Sequence, residues 1–407
     1  QSNCMLVSSG FWNAGYDGGA YDVAIIDSGI RETHTYLKYR NPPDNNPRDI
    51  YKKTPGYDSS HGTRTAGVVV STHSTFKGVA FGLDKIFDAR SGSMATSMAS
   101  IDWVLNHSSG DSPEAINHSF SYYEYDDEFG DYERFLDAVV YAMDTMVTKS
   151  AGNAGLVELG YPQSANVMSV ANLSIYDTCT TSDDVIRSSS SRGPTDSGRR
   201  KPDITAPGAD TWSTDTASNT AFANHGGTSA AAPHVAGAIL LLQDAGVTSP
   251  IAQKAILINT ATTWSDNDTL DTYGDDGPVS GDRWDKSYGW GVMNLSHANF
   301  HRTDFFIDSV VARNDTPAAD DYKLYKGYMY ANEKATVVWN RRVAYNGSSN
   351  PTTYYSTTDI NIRAYDETTG SQFDSDLVHS GNNVHQISTS TDRSVIIKVY
   401  CWSSSIS

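Results

Sequence analysis

The run VAGAILLL at positions 235–242 constrains the fold more than any other stretch of this chain. It shows no polar face over two helical turns, so a helix over 229–246 has to be covered by protein on all sides. Pro233 is expected in the first turn of that helix, where a missing N–H does little harm. A helix buried this way needs a sheet and further helices around it.

Short apolar or β-branched runs can supply that sheet. They fall at 23–26, 85–89, 115–118, 146–150, 167–171 and 204–205, with helical stretches at 61–72, 93–108, 131–145, 229–246 and 249–262. The alternation predicts an α/β architecture, a parallel sheet flanked by helices. After about residue 303 the character changes. FFIDSVVAR, KATVVWNRRV, DINIRAY and SVIIKVYCW are β-rich and separated by turn residues, which predicts a smaller antiparallel β-sandwich over 304–407. A length of 407 residues exceeds what one hydrophobic core usually covers and fits a division into 1–303 and 304–407.

A formal net charge of −18 opposes binding to nucleic acid or to an anionic membrane surface. No apolar run approaches the roughly 20 residues that span a bilayer. Gln1 is not followed by a charged region and an apolar core, so no export signal is visible, and a processed or a trimmed N-terminus would look the same. Cys4, Cys179 and Cys401 are too scattered for a disulfide framework or a zinc site and allow at most one bridge.

Three stretches place a reactive side chain where one element meets the next: DVAIIDSGI at 22–30, HGTRTAG at 61–67 and GGTSAAAPHVAG at 226–237. A serine hydroxyl is a poor nucleophile without a positioned base. Ser229, however, follows Gly226 and Gly227 at the start of the long helix, where unpaired N–H groups and the positive end of the dipole suit a developing oxyanion. His61 opens a small-residue helix, and an imidazole titrates in the range a general base needs. His34 and His234 read as ordinary structural histidines. Asp27 ends the apolar run VAII, at the strand end where α/β folds place functional groups; a turn-forming Asp is the other reading. Asn153, in Ser-Ala-Gly-Asn after the strand-like TMVTK, can donate to an oxyanion or simply shape a turn.

In the order Asp, His, Ser, these motifs resemble the subtilisin-like serine peptidases (subtilases) over about residues 10–300. The resemblance implies that Ser229 attacks the scissile carbonyl, His61 shuttles the proton and Asp27 orients His61. The Asn153 amide and the Ser229 backbone N–H would form the oxyanion hole. Asn117-His118-Ser119-Phe120-Ser121 is similar to the family's substrate-binding strand, with Ser119, Phe120, Ser121, Ala151 and Gly152 bordering the pocket for the side chain before the cut. Ser121 stands where the family has Gly, Arg64 where a second His is common, and Ala230 where many relatives carry Met. GWGVMNLSHA at 289–298 is similar to the close of the family's catalytic domain, and some bacterial subtilases continue into a β-sandwich or jelly roll.

The resemblance also implies a secreted, extracellular endopeptidase of broad specificity with an apolar or aromatic preference. It would act on protein or peptide substrates as a monomer, after loss of an inhibitory propeptide. No cofactor is expected for catalysis, and structural calcium is expected from the family. The acid-rich stretches at 126–133 and 266–285 could supply oxygen ligands, although solvated acidic loops explain them equally. Two other readings keep the same fold: an inactive subtilase-like binding module, and a triad working on esters.

Overall fold

The computed structural model describes residues 10–40, 47–107, 112–122, 130–155, 158–175, 184–263, 283–310, 322–344, 353–354, 359–377 and 381–403. The apolar runs form β1 (Asp22–Asp27), β3 (Lys85–Arg90), β4 (Ala115–His118), β5 (Met146–Ser150), β6 (Met168–Ser174) and β8 (Ile204–Pro207). Two short strands, β2 (Asp49–Lys52) and β7 (Val185–Ile186), complete the sheet, in the order β2-β3-β1-β4-β5-β6-β7 with β8 pairing β6. Every pairing is parallel except that of β6 with β7. Neither β2 nor β7 carries a long apolar run, so periodicity missed them. It also missed the hairpin β9 (Thr211–Thr214) and β10 (Phe222–His225).

Because β1 lies between β3 and β4, the chain leaves β1 toward one edge and returns to β4 on the other side. This reversal opens a crevice at the C-terminal ends of the two strands, the place where open α/β sheets bind ligands. Asp27 stands at the end of β1 and Ser119 just past the end of β4.

The helices are α1 (Thr35–Lys38), α2 (Ser60–Val70), α3 (Met94–Leu105), α4 (Asp131–Ala142), α5 (Thr228–Asp244), α6 (Pro250–Thr260) and α7 (Leu295–Phe300). As the VAGAILLL run requires, α5 is sheathed: Val235, Ala236, Ala238, Ile239, Leu240, Leu241 and Leu242 are all buried. It packs on β4, β5, β6 and β8 and against α2. Burying a side chain such as Leu contributes roughly 1.5–3 kcal/mol, so this one helix anchors the core. Pro233 is the sixth residue of the helix, in its second turn rather than the first. Its missing N–H leaves the Ser229 carbonyl without a helical donor, and the Ser119 hydroxyl donates to that carbonyl instead, at 3.1 Å. No helix among the described residues is long and apolar enough to cross a membrane.

Beyond residue 310 the described chain is antiparallel β. β11 (Tyr322–Met329), β18 (Arg393–Ser403), β15 (Asp359–Asp366) and β16 (Gln372–Asp376) form one sheet in that order; β12 (Lys334–Val338) pairs β17 (Val384–Ser388), and β13 (Val343–Ala344) pairs β14 (Thr353–Tyr354). Ile362, Ala364, Ile387 and Val399 form one apolar cluster drawn from both larger groups of strands, the packing of a sandwich. Of the β-rich stretches, FFIDSVVAR forms no strand over 305–310, and the rest of it lies outside the described residues.

Candidate active site

Asp27 is fully buried at the end of β1. One carboxylate oxygen, Oδ1, accepts from the Ser28 N–H at 2.6 Å, the Ser28 hydroxyl at 2.9 Å and His61 Nδ1 at 2.8 Å. The other, Oδ2, accepts from the Thr65 hydroxyl at 3.2 Å. Burial by itself would raise this carboxyl's pKa; the charge and hydrogen bond of His61, with the Ser28 bonds, outweigh it and bring the pKa below the ordinary value. Asp27 is therefore ionised, which places the proton of neutral His61 on Nδ1 and leaves the lone pair on Nε2, the nitrogen turned away from Asp27.

His61 is the second residue of α2 and is 41% exposed on the cleft side. Burial would lower its pKa; the hydrogen bond and charge of Asp27 more than reverse this, against a smaller opposing effect of Arg64, and the pKa lies above the ordinary 6.5. Two rings hold the imidazole edge-on, His225 with centroids 5.2 Å apart and Phe120 at 6.1 Å. Buried His225 reaches the Thr65 hydroxyl at 3.2 Å. Thr65 therefore stands between His225 and Asp27, behind the Asp27–His61 pair. Arg64 is tied to Asp215 through two nitrogens, at 2.8 and 2.7 Å, beside rather than within this arrangement.

Ser229 is the second residue of α5, after Gly227 at φ +90°. A Cβ on Gly227 would also stand 3.0 Å from Asn153 Oδ1, so this position needs glycine for conformation and for space. The Ser229 hydroxyl donates to the Ser119 carbonyl at 3.1 Å rather than to His61. With the reverse bond from the Ser119 hydroxyl, it clamps the start of the helix to the end of β4. Asn153 Oδ1 accepts from the backbone N–H and the hydroxyl of Thr228, at 3.0 and 3.2 Å. Anchoring the amide by its oxygen leaves its NH2 on the other edge of the amide plane, away from the Thr228 bonds.

These groups meet in one open cleft of about 490 Å³, lined by Ser28, Ser59, His61, Ser119, Phe120, Ser121, Ser150, Asn153 and Ser229. All four residues singled out for chemistry, Asp27, His61, Asn153 and Ser229, are at or directly behind it. Ser119, Phe120 and Ser121 line it. Ala151 and Gly152 are buried behind, the Gly152 N–H bonded to the Thr228 hydroxyl at 3.2 Å, and Ser150 lines the cleft in their place. Sequence reasoning passed over Ser150, Thr65, Thr228 and His225. Thr228 lies within the GGTS turn and His225 directly precedes it, and that adjacency was their only local signal. His34 bonds the Ala221 carbonyl and His234 the Ala230 carbonyl, each at 2.9 Å, as structural histidines do. Among the described residues no three His, Cys, Asp or Glu side chains gather as a metal-binding set. Most of the acid-rich stretches, 126–129 and 266–282, lies outside the described residues, as do Cys4 and Cys179.

Residues 18–291 match the model of the subtilase family. The chain is 28% identical over 291 residues to serine protease AprX of Bacillus subtilis, which covers 62% of this chain and 63% of AprX. It is also 28% identical over 326 residues to Bacillopeptidase F of the same organism, covering 72% of this chain and 21% of that protein. It thus spans less than two thirds of either relative. Among solved structures, the prenylagaramide maturation protease PagA superposes with a TM-score of 0.57 at 21% identity, covering 72% of this chain and 97% of that one. A mutant of the protease domain of PatA does so with a TM-score of 0.53 at 18% identity, covering 71% and 98%. At those identities the likeness is one of fold.

Proposed function

Because the chain belongs to the subtilase family, we propose that it is a serine endopeptidase in which Ser229 is the nucleophile, His61 the general base and acid, and Asp27 the group that orients His61. The observation that carries this reading is the 2.8 Å bond from His61 Nδ1 to ionised Asp27, in the same cleft as a serine at the start of a buried helix.

An extended peptide adds as a strand along residues 119–121. Its N–H takes the Ser119 carbonyl, and this releases the Ser229 hydroxyl to turn toward His61 Nε2. The Ser229 proton passes to His61 as the Oγ–C bond forms, and the carbonyl oxygen becomes an oxyanion held by the Ser229 N–H and the Asn153 NH2. His61 returns the proton to the amine as the C–N bond breaks, leaving an acyl-enzyme. Water then gives a proton to His61 and attacks, and Ser229 leaves with that proton. Side chains and backbone carry every step, so no cofactor enters the catalytic cycle.

Casein hydrolysis together with labelling of Ser229 by a fluorophosphonate tests the reading, and a folded chain that does neither is the inactive binding module instead. Two further results are expected. Asn153→Leu should lower kcat by about 10² to 10³, the cost of losing one oxyanion donor in subtilisin, with KM little changed. In kcat/KM against pH, activity should fall on the acid side along a limb centred above 6.5, because the base must be neutral and Asp27 raises its proton affinity. A limb centred below 6.5 would contradict the Asp27–His61 coupling.

Secretion, a removable propeptide, a monomeric state and structural calcium belong to the same proposal and rest on the family. Melting with and without EDTA tests the last of these. Among the described residues that line the cleft, Phe120 is the one apolar side chain and the others are polar, so that lining supports the apolar or aromatic preference expected from the sequence through Phe120 alone.

A further inference from the structure

Lys149 is the fourth residue of β5 and is fully buried. Its ammonium donates to the Ser121 hydroxyl at 2.9 Å, the Ser150 carbonyl at 2.7 Å and the Ser150 hydroxyl at 3.3 Å. An ammonium has three N–H donors, and these contacts use all of them. Both serines line the cleft, Ser121 partly exposed and Ser150 buried. Each has one proton, and each oxygen already accepts from Lys149, so their protons point elsewhere. The two oxygens lie 3.3 Å apart, which lets one proton pass between them. The other is left for the cleft. The floor there is a hydroxyl donor backed by a positive charge.

The same floor is shallow. A Cβ on Gly160 would collide with the Ser121 side chain. Tyr122 and Tyr161 exchange backbone bonds at 3.0 and 2.9 Å, which fixes the two segments against each other. Among the described residues no carboxylate lies within ion-pair distance of Lys149. The titratable groups that influence it are Glu133 on α4 and His118 on β4. Glu133 is pushed up to about 8 by burial, and His118 is pushed down to about 3 by burial and by Lys149 itself. Burial lowers Lys149 to about 7, so a charge partner arriving from the cleft would stabilise its charged form.

We propose that Lys149, acting through Ser121 and Ser150, selects substrates with a carboxylate side chain, Asp or Glu, immediately before the cut. A carboxylate accepts the outward hydroxyl bond and approaches the ammonium behind it. An amide of the same shape gains the bond without the charge, and an apolar side chain leaves the donor unmet. The inference rests on the peptidase reading.

The test measures kcat/KM for five peptides that differ only before the cut, with Glu, Asp, Gln, Leu or Phe there. Glu or Asp is expected to exceed Gln by about ten- to a hundredfold, as for a hydrogen bond strengthened by charge. In Lys149→Met the Glu to Gln ratio should fall to one or below, a change that a merely structural lysine, whose loss lowers both rates alike, would not produce. Ser121→Ala keeps the lysine and should reduce the same ratio, which holds the test open if Lys149→Met does not fold. A wild-type chain that cleaves casein but favours Leu or Phe, or treats Glu and Gln alike, overturns the inference and leaves the peptidase reading standing. An unchanged ratio in a folded Lys149→Met also overturns it. A chain that neither cleaves casein nor takes a fluorophosphonate overturns both.

Discussion

Ser229→Ala is expected to leave a folded chain whose turnover of casein or peptide is lower by about 10⁶, the scale on which subtilisin loses kcat without its nucleophile. The hydroxyl makes a single hydrogen bond, to the Ser119 carbonyl, so its removal should cost the fold no more than about 1 kcal/mol. Activity and stability should therefore separate cleanly. Peptide binding along residues 119–121 should survive, because it uses backbone groups that the substitution leaves in place. Kinetics at saturating substrate, with a melting curve of the same preparation, measure both. Residual turnover within tenfold of wild type would place the nucleophile elsewhere and remove the basis for the mechanism.

Arg341→Met is expected to destabilise the chain by about 3 to 5 kcal/mol, the cost of stranding one member of a buried ion pair. Arg341 lies in the β-rich C-terminal region between β12 and β13, fully buried, with Nη1 3.1 Å from Oδ2 of buried Asp137 on α4. Asn166 binds both partners: its side chain bonds the Arg341 N–H and carbonyl at 2.7 and 2.8 Å, and its N–H donates to Asp137 Oδ1 at 2.8 Å. Removing the guanidinium leaves the Asp137 carboxylate in the interior without its cation. Changing both, Arg341→Met with Asp137→Leu, should recover part of the loss, because an apolar pair can replace a buried ion pair at little net cost while the Asn166 N–H loses its acceptor. Thermal melting of the single and double variants measures the difference. A single variant that melts like wild type would mean that water reaches Asp137 in the variant.

Arg341 is one of several ties. Arg200 Nη1 lies 2.9 Å from Asp376, which also receives His385 at 2.9 Å; Arg283 binds Asp374; and Lys334 donates to the Ala261 carbonyl at 2.6 Å. The C-terminal strands are thus fastened to the α/β part by charged groups, of which Arg200, Asp376, Arg341 and Asp137 are buried. Such groups are costly to strand, so the predicted effect of cutting this region away is loss of stability before any change in chemistry.

What the sequence by itself determined is local. Apolar runs a few residues long set β1, β3, β4, β5, β6 and β8, and VAGAILLL set a sheathed α5, because pleat and helix periods are written within a few neighbouring positions. That Asp27, His61 and Ser229 stand at the ends of strands and helices was legible for the same reason, since each lies in a short motif whose glycines and apolar runs mark the element end nearby; their roles were legible, like that of Asn153, only through the family resemblance. Lys149 was not. In the sequence it is a lysine after TMVT, and only the pairing of β5 with β4 and the approach of Gly160 bring it beneath Ser121 as a buried cation. The same holds for the reciprocal bonds of Ser119 and Ser229, for Thr65 between Asp27 and His225, and for Arg341 against Asp137. Each joins residues far apart in the chain. The tertiary structure decided them, because whether a polar side chain is solvated, paired or stranded depends on which distant segment covers it.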